Sequence, residues 1–222
     1  MHIIDIPQGS YGWQKLRLGL ISASRFKDIL TEPRSKADKE SGKLSGTAEA
    51  YMNTLIAEIL TGEQEEVSGK ALDWGKEHED AARWEYEFVH SQSVDQVGIC
   101  IQESLVYGAS PDGLVGEDGM IEIKCPFISK NHIATVINGM PSEHMPQIQG
   151  NLLVNGRQWC DFISFDPRID GEHRLYVQRI ERDEKYIANL EKKLNNFSSK
   201  MQETLKTSFG IDWQGVNIQE YV

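Results

Sequence analysis

Apolar residues recur at three- and four-residue spacing along two stretches of the chain. Tyr51, Met52, Leu55, Ile56, Ile59 and Leu60 form one stripe behind Thr47 that stops at Gly62, which predicts a helix over residues 47–61. Leu72, Ala82, Tyr86 and Val89 predict a second helix over 70–89, with these four side chains buried. Residues 10–30 read as two short helical pieces around Gly19, with Trp13, Leu16, Leu20, Phe26 and Ile29 as apolar faces. The segment 32–46, EPRSKADKESGKLSG, is polar and without period, so a mobile loop is expected there.

The middle of the chain changes character. Residues 94–101 and 104–109 are rich in strand formers, Pro111-Asp112-Gly113 reads as a turn, and MIEIKC over 120–125 alternates as a strand. Helical patterns return over 128–138 and over 142–155, where Pro141 suits a helix approach. Two further strands, 159–165 and 174–180, are joined by a turn through Asp166-Pro167-Arg168. The last helix runs over 183–208 and packs Ile187, Leu190, Leu194, Phe197, Met201 and Leu205 before Gly210. This order predicts an α/β protein, more closely an α+β mixed sheet flanked by helices, as one domain over 1–222 with its core about 10–208. No internal repeat or linker interrupts it.

Composition narrows the possibilities. The 222 residues are 39% hydrophobic and 26% charged, enough to bury a core and unlike a disordered chain. No apolar run approaches the ~18 residues of a membrane span, and residues 1–8 lack a secretion signal, so no membrane association and a cytoplasmic location are expected. Cys100, Cys125 and Cys160 form no CxxC pair, which argues against a disulfide framework, a zinc site or an iron–sulfur cluster. With 23 Lys and Arg against 34 Asp and Glu, the net charge is −11. A nucleic-acid partner would therefore need a local basic patch or bound metal.

Candidate chemistry gathers in Ser110-Pro111-Asp112-Gly113 and, ten positions after Asp112, in Glu122-Ile123-Lys124. Alternate strand residues share a face, so Glu122 and Lys124 point one way while Ile121 and Ile123 point into the core. Asp112 reaches the same point if the two strands are hairpin neighbours. Two carboxylates and one ammonium on an otherwise apolar hairpin are costly unless a metal neutralises the acids, and such oxygen donors favour Mg²⁺ or Mn²⁺. An Asp-Gly turn and a solvent-facing Glu–Lys pair would leave the same trace.

The PD and ExK elements resemble the PD-(D/E)xK nuclease superfamily, whose core is restriction-endonuclease-like. Around them stand Trp13-x-Lys15-Leu16-Arg17-Leu18-Gly19, Ile21-Ser22-Ala23-Ser24, Trp74-Gly75-Lys76-x-x-Glu79, Gln147-Ile148-Gln149 and Asp166-Pro167-Arg168. In this order, and as far as ERDEKY at 181–186, they resemble the lambda-type exonuclease family, also called the YqaJ-like viral recombinases.

That resemblance implies a magnesium-dependent nuclease that degrades one strand of duplex DNA from its 5′ end to 5′-mononucleotides. It implies two Mg²⁺ ions per site, with Mn²⁺ as a substitute, held by Asp112, Glu122, the Ile123 carbonyl and Glu79. Lys124 would orient or help deprotonate the attacking water. Arg17, Ser24 and Gln147 would grip the terminal 5′-phosphate, and Arg34 would meet the incoming duplex. Four of these have a plainer alternative: a solvated helix face for Glu79, a helix N-cap for Ser24, an exposed helix position for Gln147 and a solvated loop for Arg34. His78 reads as a surface residue beside acids or as a support behind the metal ligands, not as a ligand, and Trp13, Trp74, Trp84 and Trp159 read as core or interface residues. The family also implies a homotrimeric ring, a single-strand annealing partner and a phage or prophage origin in a bacterial cytoplasm. Two rivals stand beside this reading: a structure-specific or restriction-type endonuclease, and a non-catalytic DNA-end-binding subunit.

Overall fold

The protein is described by a computed structural model over residues 1–65 and 68–221. Its first sheet holds β1 (His2–Ile4), β2 (Ile21–Ser22), β3 (Ile99–Ile101) and β4 (Tyr107–Ala109), in the order β1-β3-β4-β2. The second holds β5 (Gly113–Val115), β6 (Gly119–Lys124), β7 (Trp159–Phe165) and β8 (Leu175–Glu181), in sequence order. Its β5–β6 and β7–β8 pairs are antiparallel and the central β6–β7 pair is parallel. The expected mixed sheet flanked by helices is thus present, divided into two four-stranded sheets.

The helices are α1 (Tyr11–Leu16), α2 (Phe26–Leu30), α3 (Lys36–Glu40), α4 (Gly46–Thr61), α5 (Lys70–His90), α6 (Ser129–Asn138), α7 (Met145–Asn155) and α8 (Glu184–Phe209). α4 starts where Ser45 Oγ accepts the Ala48 N–H and ends at Gly62, whose φ of 71° is left-handed backbone that glycine adopts without a Cβ penalty. α8 is capped by Asp183, whose carboxylate accepts the N–H groups of Lys185 and Tyr186. Among the described residues no helix is long and apolar enough to cross a membrane.

The central strands are covered on both faces. Met120, Cys160 and Phe162 pack with Ile148 and Leu152 of α7 and with Leu190, Leu194 and Phe197 of α8. On the other face Ile121, Ile123 and Ile163 meet Ala82 and Tyr86 of α5. The polar side of β6 is therefore no solvent face, and Glu122 is only 1% exposed. α7 sits close on α2 because Gly150 has no side chain: a Cβ there would lie 2.4 Å from Phe26 Cδ2.

Three expectations are corrected. Residues 32–46 contain α3, which shows no apolar period and is surrounded by exposed charge pairs. Ser35 Oγ caps it at 3.0 Å, and Lys36–Glu40, Lys39–Glu32 and Lys43–Asp38 pair at 3.7, 3.2 and 3.8 Å. α5 buries Ala82 and Tyr86 but exposes Leu72 and Val89, along with Trp84 at 77% and Phe88 at 85%, so Trp84 is not a core residue of this chain. The core also exceeds 10–208. β1 adds buried Ile4 beside β3, and the segment after α8 adds buried Val216, whose N–H bonds the Leu105 carbonyl at 2.8 Å.

Candidate active site

The β5–β6 hairpin sets Gly113 opposite Ile121, which brings Asp112 beside the middle of β6. Its Oδ2 accepts the Ile123 N–H at 2.6 Å. Glu122 and Lys124 share one face of β6, and Lys124 Nζ donates to Glu122 Oε1 at 2.5 Å. α7 completes this contact with two amides one turn apart. Gln147 Nε2 donates to Glu122 Oε1 at 2.6 Å, and Asn151 Nδ2 to Glu122 Oε2 at 3.0 Å. Lys124 Nζ also lies 3.5 Å from Gln147 Oε1.

α5 supplies the fourth charged group. Glu79 Oε1 accepts from Arg83 NH2 at 2.9 Å, and the same guanidinium gives Nε to the Asp112 carbonyl at 3.2 Å and NH1 to Asp80 at 2.6 Å. Arg83 thereby fastens the helix carrying Glu79 to the loop carrying Asp112. Burial pushes the Asp112 carboxyl well above its usual range, and the neighbouring charges of Glu122 and Glu79 add to it against Lys124. Burial likewise raises Glu79, against the charge of Arg83. For Lys124 burial acts downward, but the charges of Glu122 and Asp112 outweigh it and hold the group above its ordinary value. Lys124 is thus an ammonium, suited to donate a hydrogen bond or to neutralise charge.

Among the described residues no group of three or more His, Cys, Asp or Glu side chains is arranged to hold a metal ion. Glu122 is engaged by Lys124, Gln147 and Asn151, and Glu79 by Arg83. The donor chemistry nonetheless fits a hard divalent cation. Asp112, Glu122, Glu79 and the Ile123 carbonyl offer oxygens alone, and Asp112 and Glu79 are raised first by burial and then by neighbouring carboxylates, which a bound cation would offset.

Arg17 lies just past α1, its guanidinium 4.1 Å over the Trp13 ring. Burial lowers its pKa, opposed by Tyr51 and Glu58. Among the described residues it has no ion pair, which leaves its planar fork open to an anion. Trp13 Nε1 donates to Ser110 Oγ at 3.1 Å, linking this arginine to the loop before Asp112. Ser24 is exposed inside a short 3₁₀ turn (Ala23–Arg25) and does not cap it; its Oγ lies 3.2 Å from Ser22 Oγ. Gln147 sits with Glu122 and Lys124, and no hydrogen bond joins it to Arg17 or Ser24 among the described residues. Arg34 is exposed, without an ion pair among the described residues, before the charge-paired α3.

The sequence profile of the YqaJ-like viral recombinase domain matches residues 12–158, about two thirds of the chain. The chain belongs to that family. The fold agrees: an alkaline exonuclease from Laribacter hongkongensis, LHK-Exo, is 36% identical with a TM-score of 0.79, over 89% of this chain and 95% of that one. The same protein in complex with dAMP superposes with a TM-score of 0.80, over 90% and 98%. A phage-related exonuclease from Haemophilus somnus 129PT, 20% identical over 85% and 96% with a TM-score of 0.67, shares the fold. An Escherichia coli K12 protein, ExoD, is 36% identical over 76 residues, 33% of this chain and 86% of its own length. The resemblance carried by the separated motifs is borne out, and the chain is a nuclease of the lambda-exonuclease type.

In this YqaJ-like chain several site residues escape a reading of the sequence. Asn151 and Arg83 stand four positions after Gln147 and Glu79, so helical spacing was the signal that could have found them. Asp166-Pro167-Arg168 is more than a turn. Burial acts to raise the Asp166 carboxyl, but hydrogen bonds from Arg168 and Ser129 bring it down to about 2. Arg168 also reaches the Pro126 and Phe127 carbonyls at 3.1 and 3.0 Å and stacks 4.4 Å over Trp74. It ties the strand exit after Lys124 to the start of α5. Trp74 and His78 adjoin there, ring centroids 3.9 Å apart.

Proposed function

We propose that this chain is a Mg²⁺-dependent exonuclease that degrades one strand of linear duplex DNA from a phosphorylated 5′ end, releasing 5′-mononucleotides and leaving a 3′ single strand for recombination. One observation carries the reading: Asp112, Glu122 and Lys124 meet at a crowded charged point whose loop is tied, through Ser110 and Trp13, to the Arg17 guanidinium, which has no ion pair among the described residues. The binding of dAMP by the similar LHK-Exo supports a deoxynucleoside monophosphate product.

Asp112, Glu122, Glu79 and the Ile123 carbonyl would hold Mg²⁺, two ions per site. Bound there, the metal supplies a Lewis acid for the phosphoryl oxygens and the leaving 3′ oxygen and acidifies a water. Lys124, as an ammonium, orients that water and neutralises charge on the phosphoryl group. Gln147 and Asn151 fix the Glu122 carboxylate by hydrogen bonds at 2.6 and 3.0 Å, and it is this carboxylate that would serve as a metal ligand. Arg17 meets the end phosphate with its paired donors and Ser24 adds a neutral hydrogen bond; Gln147, which the family resemblance groups with them, is seated on Glu122 and Lys124. Arg34 meets the incoming duplex. A homotrimeric ring would keep a protein of charge −11 on DNA by topology, and a single-strand annealing protein would take over the exposed strand in the host cytoplasm.

The end phosphate gives the test. It carries about one more negative charge than an internal phosphodiester. Arg17→Ala should slow phosphorylated ends by roughly 10- to 150-fold, the cost of one charge-assisted pair at ~1.5–3 kcal/mol, and barely change hydroxyl ends that are already slow. Equal slowing of both ends would remove the phosphate pocket from the proposal.

A further inference from the structure

Trp13 touches both halves of the site. One face of its indole carries the Arg17 guanidinium at 4.1 Å, one helical turn further on. Its Nε1–H is spent on Ser110 Oγ at 3.1 Å, two residues before Asp112. Its own backbone is fixed where its N–H meets Ser10 Oγ at 3.3 Å, at the start of α1. The loop it reaches is also pinned from the other side, since Gln8 Nε2 donates to the Pro111 carbonyl at 3.0 Å. An arginine side chain has many rotamers, and stacking on a rigid ring removes most of them.

The geometry points to Trp13 as a positioning residue: it holds the Arg17 guanidinium and the 110–112 segment at one fixed separation. An anchored 5′-phosphate then sets which phosphodiester lies over Asp112, Glu122 and Lys124. The inference rests on the reading of Arg17 as the end-phosphate ligand. It adds a consequence that the pocket alone lacks, because a loosened tether should let cleavage slip by one phosphodiester and release dinucleotide beside mononucleotide.

Four variants test it on duplexes with 5′-phosphate or 5′-hydroxyl ends, with Mg²⁺ present. Trp13→Phe keeps an aromatic face and loses the indole N–H; Trp13→Leu loses both; Ser110→Ala removes the partner; Arg17→Ala removes the ligand. Trp13→Phe should keep the preference for phosphorylated ends, lower kcat about fivefold, as for one lost neutral hydrogen bond, and raise the dinucleotide share. Combined with Ser110→Ala it should add little, because both remove the same contact. Trp13→Leu should in addition erode the end preference about tenfold, toward that of Arg17→Ala. Thermal unfolding of each variant reports on folding, and Trp13→Phe carries the test if Trp13→Leu does not fold. Additive effects of Trp13→Phe and Ser110→Ala, or a Trp13→Leu that slows both end types equally with mononucleotide alone, would reduce Trp13 to packing. Arg17→Ala slowing both ends equally would instead overturn the phosphate pocket, and this inference with it.

Discussion

Replacing Glu122 by Gln removes a charge that Lys124, Gln147 and Asn151 all converge on, and replacing Asp112 by Asn removes a carboxylate charge while keeping one carbonyl oxygen for the Ile123 N–H. Each change, like Lys124→Ala, should leave a folded protein that binds DNA ends but cleaves at least ~10²-fold more slowly, the scale of one preorganised electrostatic group. Titrating Mg²⁺ in a digestion assay separates their roles. Higher metal should partly restore the carboxylate variants but not Lys124→Ala, and near-wild-type cleavage by Lys124→Ala would show the motif to be misread. At this scale much was legible: the strand period put Glu122 and Lys124 on one face, and the motif frame singled out Glu79 and Gln147. Burial of that face was not legible, because it depends on the cover that α7 provides.

Among the elements, the long ones announce themselves and the short ones do not. α4, β7 and α8 follow their apolar periods to within a residue or two, whereas β1 and β5, of three residues each, are too short to show a period. α3 was hidden because it carries charges and no apolar stripe. The turn at Asp166–Arg168 gives a test at this scale, since it joins β7, the exit of β6 and α5. Its carboxyl stands at about 2 in the fold against an ordinary 3.8, so its stabilisation is full above about 3.8 and is lost as the pH falls through about 2. Asp166→Asn should lower stability near neutral pH by ~1.5–3 kcal/mol, the range for hydrogen bonds to charged groups, and the difference should vanish toward pH 2. Urea unfolding across that range reads it, and a pH-independent difference would mean that packing, not the charge, is what the substitution removes.

For the whole molecule, a ring predicts a mass in light scattering near three times 25.2 kDa before DNA is added. The exposed Trp84 and Phe88, four apart on α5, offer an apolar face that the ring reading gives to a second copy. The double change Trp84→Asp and Phe88→Asp should then bring the mass down to one chain, whereas an unchanged trimer would place the interface elsewhere. The direction of attack remains the most direct test of what the molecule does. Linear duplex labelled at one 5′ end or one 3′ end, beside covalently closed circular DNA, would be digested with Mg²⁺ and with a chelator. The 5′ label should leave first and as a mononucleotide, the 3′ label should persist, the circle should stay intact, and the chelator should stop all of it. Cutting of the circle, or first release of the 3′ label, would contradict a 5′-to-3′ exonuclease.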